Sequence, residues 1–459
     1  MITPEKFPGA EIDPTGVLRF GGADTLALAK KYRTPLYVMD EDVLRANCRE
    51  FRRGFEAAYP GETRVLYSAK AMTALEVMRT AADEGLGLDA SSMGEVRGAL
   101  LAGIEPGEIY LHGGFKKEQD LRDALRLGVG TIVLDSRDEA LTLERLARAS
   151  KRKPAVLLRV TPGIEAHTHH FIQTGRLDTK FGVPIAGGAA LSLIAEILRS
   201  RSLELRGFHY HIGSQILDLK PYREAARRAA DFIASLKSRL GYVPAEVNAG
   251  GSFPARYSSR QALPDVRRIA RAVAGELSAR LRESGVPLPR LVVEPGRAIA
   301  GPAGITLYTV GPVKTVPGVR SYVIVDGGLS DNPRPALYGA AYEAVIAGRA
   351  SAPPDGNYRV CGSHCENDVL IKSLPLPSPR PGDVLAVFTT GAYNFSMSSN
   401  YNKFPRPAVV MLKNGKPRLI VKRETDGDLF AMDVITRRAR ATRGYRRPMK
   451  KSPPPTTGK

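Results

Sequence analysis

The chain has 459 residues, 43% of them hydrophobic and 25% charged, with three cysteines and a formal net charge of +20. That length and composition exclude a small disulfide scaffold and a wholly disordered chain, and three scattered thiols (Cys48, Cys361, Cys365) point to a reducing, cytoplasmic setting. No apolar run reaches the ~18 residues of a membrane span, the N-terminus has no apolar stretch of the secretory kind, and nine Lys and Arg with no acid crowd into residues 437–459, so much of the positive excess belongs to a solvated basic tail rather than to a nucleic-acid face.

In chain order, residues 1–33 contain a strand-like segment, GVLRFGG (16–22), expected to complete a β domain formed much later in the sequence. From residue 65 to residue 294 one pattern recurs: a short apolar, β-branched run ends in a polar residue and a helical pattern follows. The runs are VLYS (65–68), LGLDA (86–90), EIYLH (108–112), TIVLD (131–135), AVLLRV (155–160), GFHYH (207–211), AEVNA (245–249) and LVVEP (291–295). Near-continuous apolar strands are covered on both faces, as in a parallel sheet. Between them, TALEVMRTAADEG reads as a helix with Leu75, Met78 and Ala82 on its buried face and a stop at Gly85. Eight such units over this length predict a (β/α)8 barrel across residues 34–300. After residue 300, ITLYTVGPVKTV, SYVIVDGG, YRVCGSHC, GDVLAVFTTGAYNFS and RPAVVML alternate between Gly/Pro turns and predict an antiparallel, sandwich- or barrel-like β domain across 301–436, followed by a disordered tail.

Barrel chemistry sits at the C-terminal strand ends. Those ends carry Lys70, Asp89, His112, Asp135, Arg159, His211, Asn248 and Glu294. Lys70, between Ala69 and Ala71, has an apolar setting that lowers an amine's pKa and makes it nucleophilic toward an aldehyde; taken alone, a snorkelling surface lysine is the better reading. NAGGSFP (248–254) and EPGR (294–297) follow the seventh and eighth strands, where barrels bind phosphate. Glu294 stands where a pyridinium nitrogen needs a carboxylate. His167, His169 and His170 form an H-x-H-H cluster whose sharp reading is a metal site, but no cysteine or paired carboxylate supports one and no metal is expected. Cys361 and Cys365 read as one buried and one reactive thiol, or as half of a zinc site.

YSAKA (67–71), VTPGIEAHTHHFIQTGRLDTKFG (160–182), HYHIGSQI (209–216), EPGRAIAG (294–301), VDGGLSDNPRPALYGAAYEAV (325–345), HCEND (364–368) and GAYNFSMSSNYNKFPRPAVV (391–410) together resemble the pyridoxal-phosphate-dependent ornithine/diaminopimelate/arginine decarboxylase family, with its alanine-racemase-like barrel. DNPRPALYGA and GAYNFSMSSNYN are similar to its diaminopimelate branch. The resemblance implies pyridoxal 5'-phosphate as cofactor and conversion of meso-2,6-diaminopimelate to L-lysine and CO2. Ornithine, D-lysine or carrier-bound glutamate are the alternative substrates, and a non-catalytic binding protein is the alternative class.

By motif, Lys70 is similar to the Schiff-base lysine, Asp89 to its acidic neighbour, Glu294 to the pyridinium partner and His211 to the residue against the ring. Ser214, Gly251 and Tyr393, with Gly296 adjoining, resemble phosphate contacts. Arg297, Arg334 and Tyr338 resemble the clamp on the substrate's distal carboxylate, with Tyr393 nearby, and Glu366 the acceptor of its distal ammonium. Cys365 resembles the proton donor that a second copy contributes in a homodimer with shared active sites. The chain departs from the pattern where Ser252 replaces a glycine, where CEND is one residue shorter than C-E-S-x-D, where HGG (112–114) replaces HGN, and in the tail.

Overall fold

The computed structural model describes residue 3 and residues 5–164 and 178–434. Eight parallel strands, β1 (Thr63–Ser68), β2 (Gly87–Ala90), β3 (Ile109–Leu111), β4 (Thr131–Leu134), β5 (Ala155–Thr161), β6 (Glu204–His209), β7 (Glu246–Asn248) and β8 (Arg290–Val293), pair in sequence order. The β4–β5 and β8–β1 ladders close the barrel. Each strand falls within or beside an expected apolar run. The reason is physical: residues such as Leu66, Leu88, Leu157 and Val292 are wholly buried on both faces, so only an unbroken apolar run suits the position.

The helix after β1 spans Leu75–Asp83 and stops at Gly85, whose φ of 81° is the left-handed conformation of a helix stop. Its buried face differs from the expected one. Val77, Met78, Thr80 and Ala81 are buried, whereas Leu75 is exposed and Ala82 half-buried, because a helix that starts at Leu75 sets its first residue at the open rim of the turn.

The β domain is a mixed sheet rather than an antiparallel one. Gly304–Val316 is its spine, pairing antiparallel with Arg320–Val325, Val384–Phe388 and Leu36–Asp40. Two pairings are parallel, Leu36–Asp40 with Ala408–Lys413 and Arg320–Val325 with Gly356–Cys361. A parallel pair needs a long crossover. The crossover between residues 325 and 356 carries the short helix Arg334–Tyr338, and with it the DNPRP segment.

The expected role of GVLRFGG is also corrected. Leu18–Phe20 pairs with Ala10–Ile12 and Ala23–Asp24 in a small separate sheet, because Gly21 and Gly22 turn the chain straight back on itself. The N-terminal strand that joins the β domain is Leu36–Asp40, inside the range expected to belong to the barrel, because its ladders run to Gly304–Leu307 and Ala408–Leu412 rather than to a barrel strand. Leu18 and Phe20 still pack into the same core as Leu36, Val38, Ile305 and Phe388. The histidine cluster 167–170 and the basic tail 437–459 lie outside the described residues. No described helix is long and apolar enough to cross a membrane.

Candidate active site

The eight polar strand ends sort into distinct groups at the barrel mouth. Lys70 sits in a 3-10 turn, Ala69–Ala71, directly after β1. Ala69 and Ala71 point into the core, fully buried, so the lysine between them faces the mouth. Its Nζ lies 3.2 Å from Asp89 Oδ2, and Ser68 Oγ donates to the same oxygen at 2.5 Å. The expected depression of the Lys70 pKa is not what the site produces. Burial does oppose the charge, but the buried carboxylate of Asp89, with Tyr393 and Glu294, outweighs it and raises the amine above its usual value.

At the floor, directly after β8, Glu294 is buried. Asn248 Nδ2 donates to its Oε1 at 2.6 Å, His112 Nε2 lies 2.9 Å from Oε1, and His209 Nε2 lies 3.3 Å from Oε2. Burial works against a charge here, yet the two imidazoles hold the carboxyl well below the usual carboxylate range. Burial presses the His209 pKa down to about 4, so this ring is neutral at pH 7. His112, His209 and Glu294 bring their ligand atoms within 4.8 Å of one another, a set that could also hold a cation. Asp135 and Arg159 are a pair at 3.8 Å, with the guanidinium over the Phe181 ring, and take no part in this group.

His211 follows β6. Its Nδ1 accepts from the Gly251 amide at 3.1 Å, which fixes the ring. Burial, then the charges of Lys70 and Arg159, push its pKa well down, so the ring is neutral and free to accept that bond. The Gly-rich turn needs its glycines: a Cβ on Gly251 would meet the Glu294 carbonyl oxygen at 2.7 Å.

Lys70, His211, Ser214, Gly251, Glu294 and Gly296 share one cavity of ≈ 400 Å³ with Arg297, Arg334, Tyr338 and Tyr393. Asp89 stands behind Lys70. Ser214 Oγ accepts from Arg297 Nη2 at 2.9 Å, so the expected phosphate contact and the expected carboxylate clamp already touch. The Arg297 guanidinium also lies 4.6 Å from the centre of the Tyr393 ring. Cys365 and Glu366 are not among the residues lining this cavity; both are exposed. The Cys365 amide donates to Asn402, and Glu366 accepts from the Tyr401 hydroxyl at 2.5 Å. Cys361 is buried and Cys365 exposed, and both are free thiols.

Sequence reasoning missed three groups, His209, Tyr257 and Tyr342. His209 was legible, since it alternates with His211 in GFHYH and two residues apart on a strand share a face. Tyr257 and Tyr342 carry no local signal. Arg297 Nη1 donates to Tyr257 Oη at 2.8 Å and Arg334 Nη1 to Tyr342 Oη at 2.5 Å, with the two rings edge to face at 5.4 Å. Burial raises the Tyr257 pKa, but the two guanidiniums beside it bring it below its ordinary value. Ser252, which the sequence marked as standing in place of a glycine, lines the cavity with a positive φ.

Comparison with known proteins places this geometry. Residues 42–301 match the family described as pyridoxal-dependent decarboxylase, pyridoxal binding domain. The diaminopimelate decarboxylase of Bacillus methanolicus is 42% identical over 415 residues, 90% of this chain and 96% of that protein. That of Mycobacterium tuberculosis is 42% identical over 444 residues, 94% of this chain and 98% of that protein. The crystal structure of the diaminopimelate decarboxylase of M. jannaschii with L-lysine superposes with a TM-score of 0.88 at 31% identity, covering 94% of this chain and 98% of that one. The chain belongs to the pyridoxal-dependent decarboxylases, within their diaminopimelate decarboxylase family.

Proposed function

We propose that the chain decarboxylates meso-2,6-diaminopimelate at its D centre, giving L-lysine and CO2, with pyridoxal 5'-phosphate as cofactor; this is the last step of lysine biosynthesis. The observation that carries the substrate is the pair Arg297 and Arg334. Both are buried, both line the cavity that holds Lys70, and among the described residues neither pairs with a carboxylate. A buried guanidinium without a counter-ion is costly. A substrate that ends in a carboxylate removes the cost, with bidentate geometry suited to the guanidinium fork. Ornithine ends in an ammonium and would be repelled.

The residues fit the cofactor. The cavity has an amine at its mouth, an anionic carboxylate on its floor and a Gly-rich turn at one side, and the buried hydroxyl of Ser252 in that turn has no partner. When bound, pyridoxal phosphate supplies an electron sink for the pair released with CO2. Lys70 anchors it, oriented by Asp89. Glu294, steadied by Asn248, His112 and His209, keeps a proton on the ring nitrogen. His211, its Nδ1 fixed by Gly251, offers a neutral face to the ring. Ser214, Gly251, Gly296 and Tyr393 take the phosphate. Arg297, Arg334 and Tyr338 bind the distal carboxylate.

Lys70 Nζ and Cys365 Sγ are the two groups assigned to return a proton to the reacting carbon. Cys365 and Glu366 serve the site of a second copy, Glu366 accepting the distal ammonium; their exposure, away from their own chain's cavity, supports this arrangement. A cytoplasmic location is part of this reading, supported by three free thiols.

The test is a visible spectrum and a substrate panel. The purified protein should carry a cofactor band that Lys70→Ala abolishes, and should release CO2 from meso-diaminopimelate in strong preference to ornithine. Equal rates on the two substrates would overturn the substrate assignment, and a band that survives Lys70→Ala would overturn the anchor.

A further inference from the structure

Ser252 occupies the third position of the Gly-Gly-Ser turn that follows β7, with φ at 81°. Side chains other than glycine rarely adopt that conformation, since Cβ crowds the backbone. The surrounding contacts enforce it. The Ser252 carbonyl accepts from the Ile216 amide at 3.1 Å and the Tyr222 hydroxyl at 3.0 Å, and the next residue, Phe253, is wedged edge-on against Phe51 and Phe55. The side chain adds a second penalty: Ser252 is 6% exposed, and its Oγ is buried with no hydrogen-bond partner. A glycine would remove both penalties at once.

Ser252 is part of the wall of the cavity that Gly251, His211 and Ser214 also line. The neighbouring hydroxyl, Ser214 Oγ, accepts from Arg297 and keeps its own proton to donate. Ser252 Oγ is uncommitted, and a hydroxyl turned to an oxyanion makes a charge-assisted bond roughly twice as strong as a neutral one.

We propose that Ser252 Oγ donates a hydrogen bond to the phosphate of the bound cofactor, so that this turn grips the anion with a side chain as well as with its backbone. The inference rests on the reading of this cavity as the pyridoxal phosphate site. The phosphate, rather than the substrate's carboxylate, is the acceptor because Ser252 lies in the Gly-rich turn, whereas the carboxylate has two arginines of its own.

The experiment titrates cofactor-stripped full-length protein with pyridoxal 5'-phosphate and, separately, with pyridoxal, which has the same ring and aldehyde but no phosphate. Binding is followed by the visible band, and unfolding of the stripped protein by its melting temperature. Ser252→Ala should weaken pyridoxal phosphate binding about tenfold, the worth of one hydrogen bond to a charged group, and leave pyridoxal binding within about twofold. Ser252→Gly should weaken pyridoxal phosphate binding to a similar degree while raising the melting temperature, because it also relieves the backbone. It remains informative if the alanine variant fails to fold.

Unchanged pyridoxal phosphate affinity in the variants overturns the proposal, and so does an equal loss for both ligands, which would place the effect away from the phosphate. Failure of the wild type to bind either ligand overturns the cofactor reading itself, a result distinct from both.

Discussion

Arg297 donates to the hydroxyl of Tyr257 at 2.8 Å, although no motif links the two residues. The same phenol ring lies 4.7 Å from the Arg334 guanidinium, so one aromatic side chain contacts both arms of the proposed carboxylate clamp. Tyr257→Phe keeps the ring and removes the acceptor. Arg297 then keeps its charge and loses its aim. KM for diaminopimelate should rise about fivefold, from a net ~1 kcal/mol per hydrogen bond, with kcat nearly unchanged. Steady-state kinetics check this; a fall in kcat at constant KM would place Tyr257 in the chemical step instead.

Arg334→Ala should be harsher. It removes a buried cation that Tyr342 and Tyr257 hold in place, and leaves the substrate's carboxylate without one of its two partners. Loss of such a contact costs ~2–4 kcal/mol, so kcat/KM for diaminopimelate should fall by about 30- to 1,000-fold. Arg334→Lys should recover little, because an ammonium cannot reproduce the fork. Substantial rescue by lysine would show that charge alone suffices.

The loop that carries Arg334 has its own pH dependence. Asp331 is buried; Tyr308 and the Gly328 amide bond its two carboxylate oxygens. Burial raises its pKa to about 7. A raised folded-state value means that the native protein binds this proton more tightly than the unfolded chain. The stabilisation is complete below the unfolded value near 4 and is lost as pH climbs to about 7, at about 1.4 kcal/mol for each unit between the two values. Urea unfolding at pH 5 and pH 8 should therefore show a loss of stability with rising pH, and Asp331→Asn, which mimics the protonated form, should flatten it. An unchanged slope in the variant assigns the pH dependence elsewhere.

Shared sites predict complementation. Lys70→Ala and Cys365→Ala, each expected to be nearly inactive, are mixed and allowed to exchange subunits. With shared sites, every heterodimer has one site carrying both lesions and one carrying neither, and random mixing should restore about a quarter of wild-type activity by two-fold symmetry. If Cys365 serves its own chain, every site keeps one lesion and no activity returns.

Most of the barrel was legible in the sequence because its strands obey a local rule. A strand buried on both faces must be an unbroken apolar run, as IVL (132–134) and LVV (291–293) are, and the first polar residue after it must lie at an end. That rule brought Lys70, His211 and Glu294 to one rim, and the motifs around them pointed to the cofactor. The same rule said nothing about which sheet a run joins. LYVMD (36–40) has the texture of a barrel strand, and only its ladders to Gly304–Leu307 and Ala408–Leu412 put it in the β domain.

Electrostatics were less legible still. The apolar neighbours of Lys70 suggested a lowered pKa, but charge acts through space, and Asp89, brought alongside by the β1–β2 ladder, reverses the direction. Tyr257 stands in a segment with no period and no motif, and Tyr342 meets it from the β domain across the mouth of the barrel. By itself, the sequence determined the barrel strands, the place of Lys70 at the rim and the family, because hydrophobic period and residue type are local properties. Only the tertiary structure decided the charge on the amine, the aim of the two arginines and the unpartnered hydroxyl of Ser252, because each depends on distances between groups far apart along the chain.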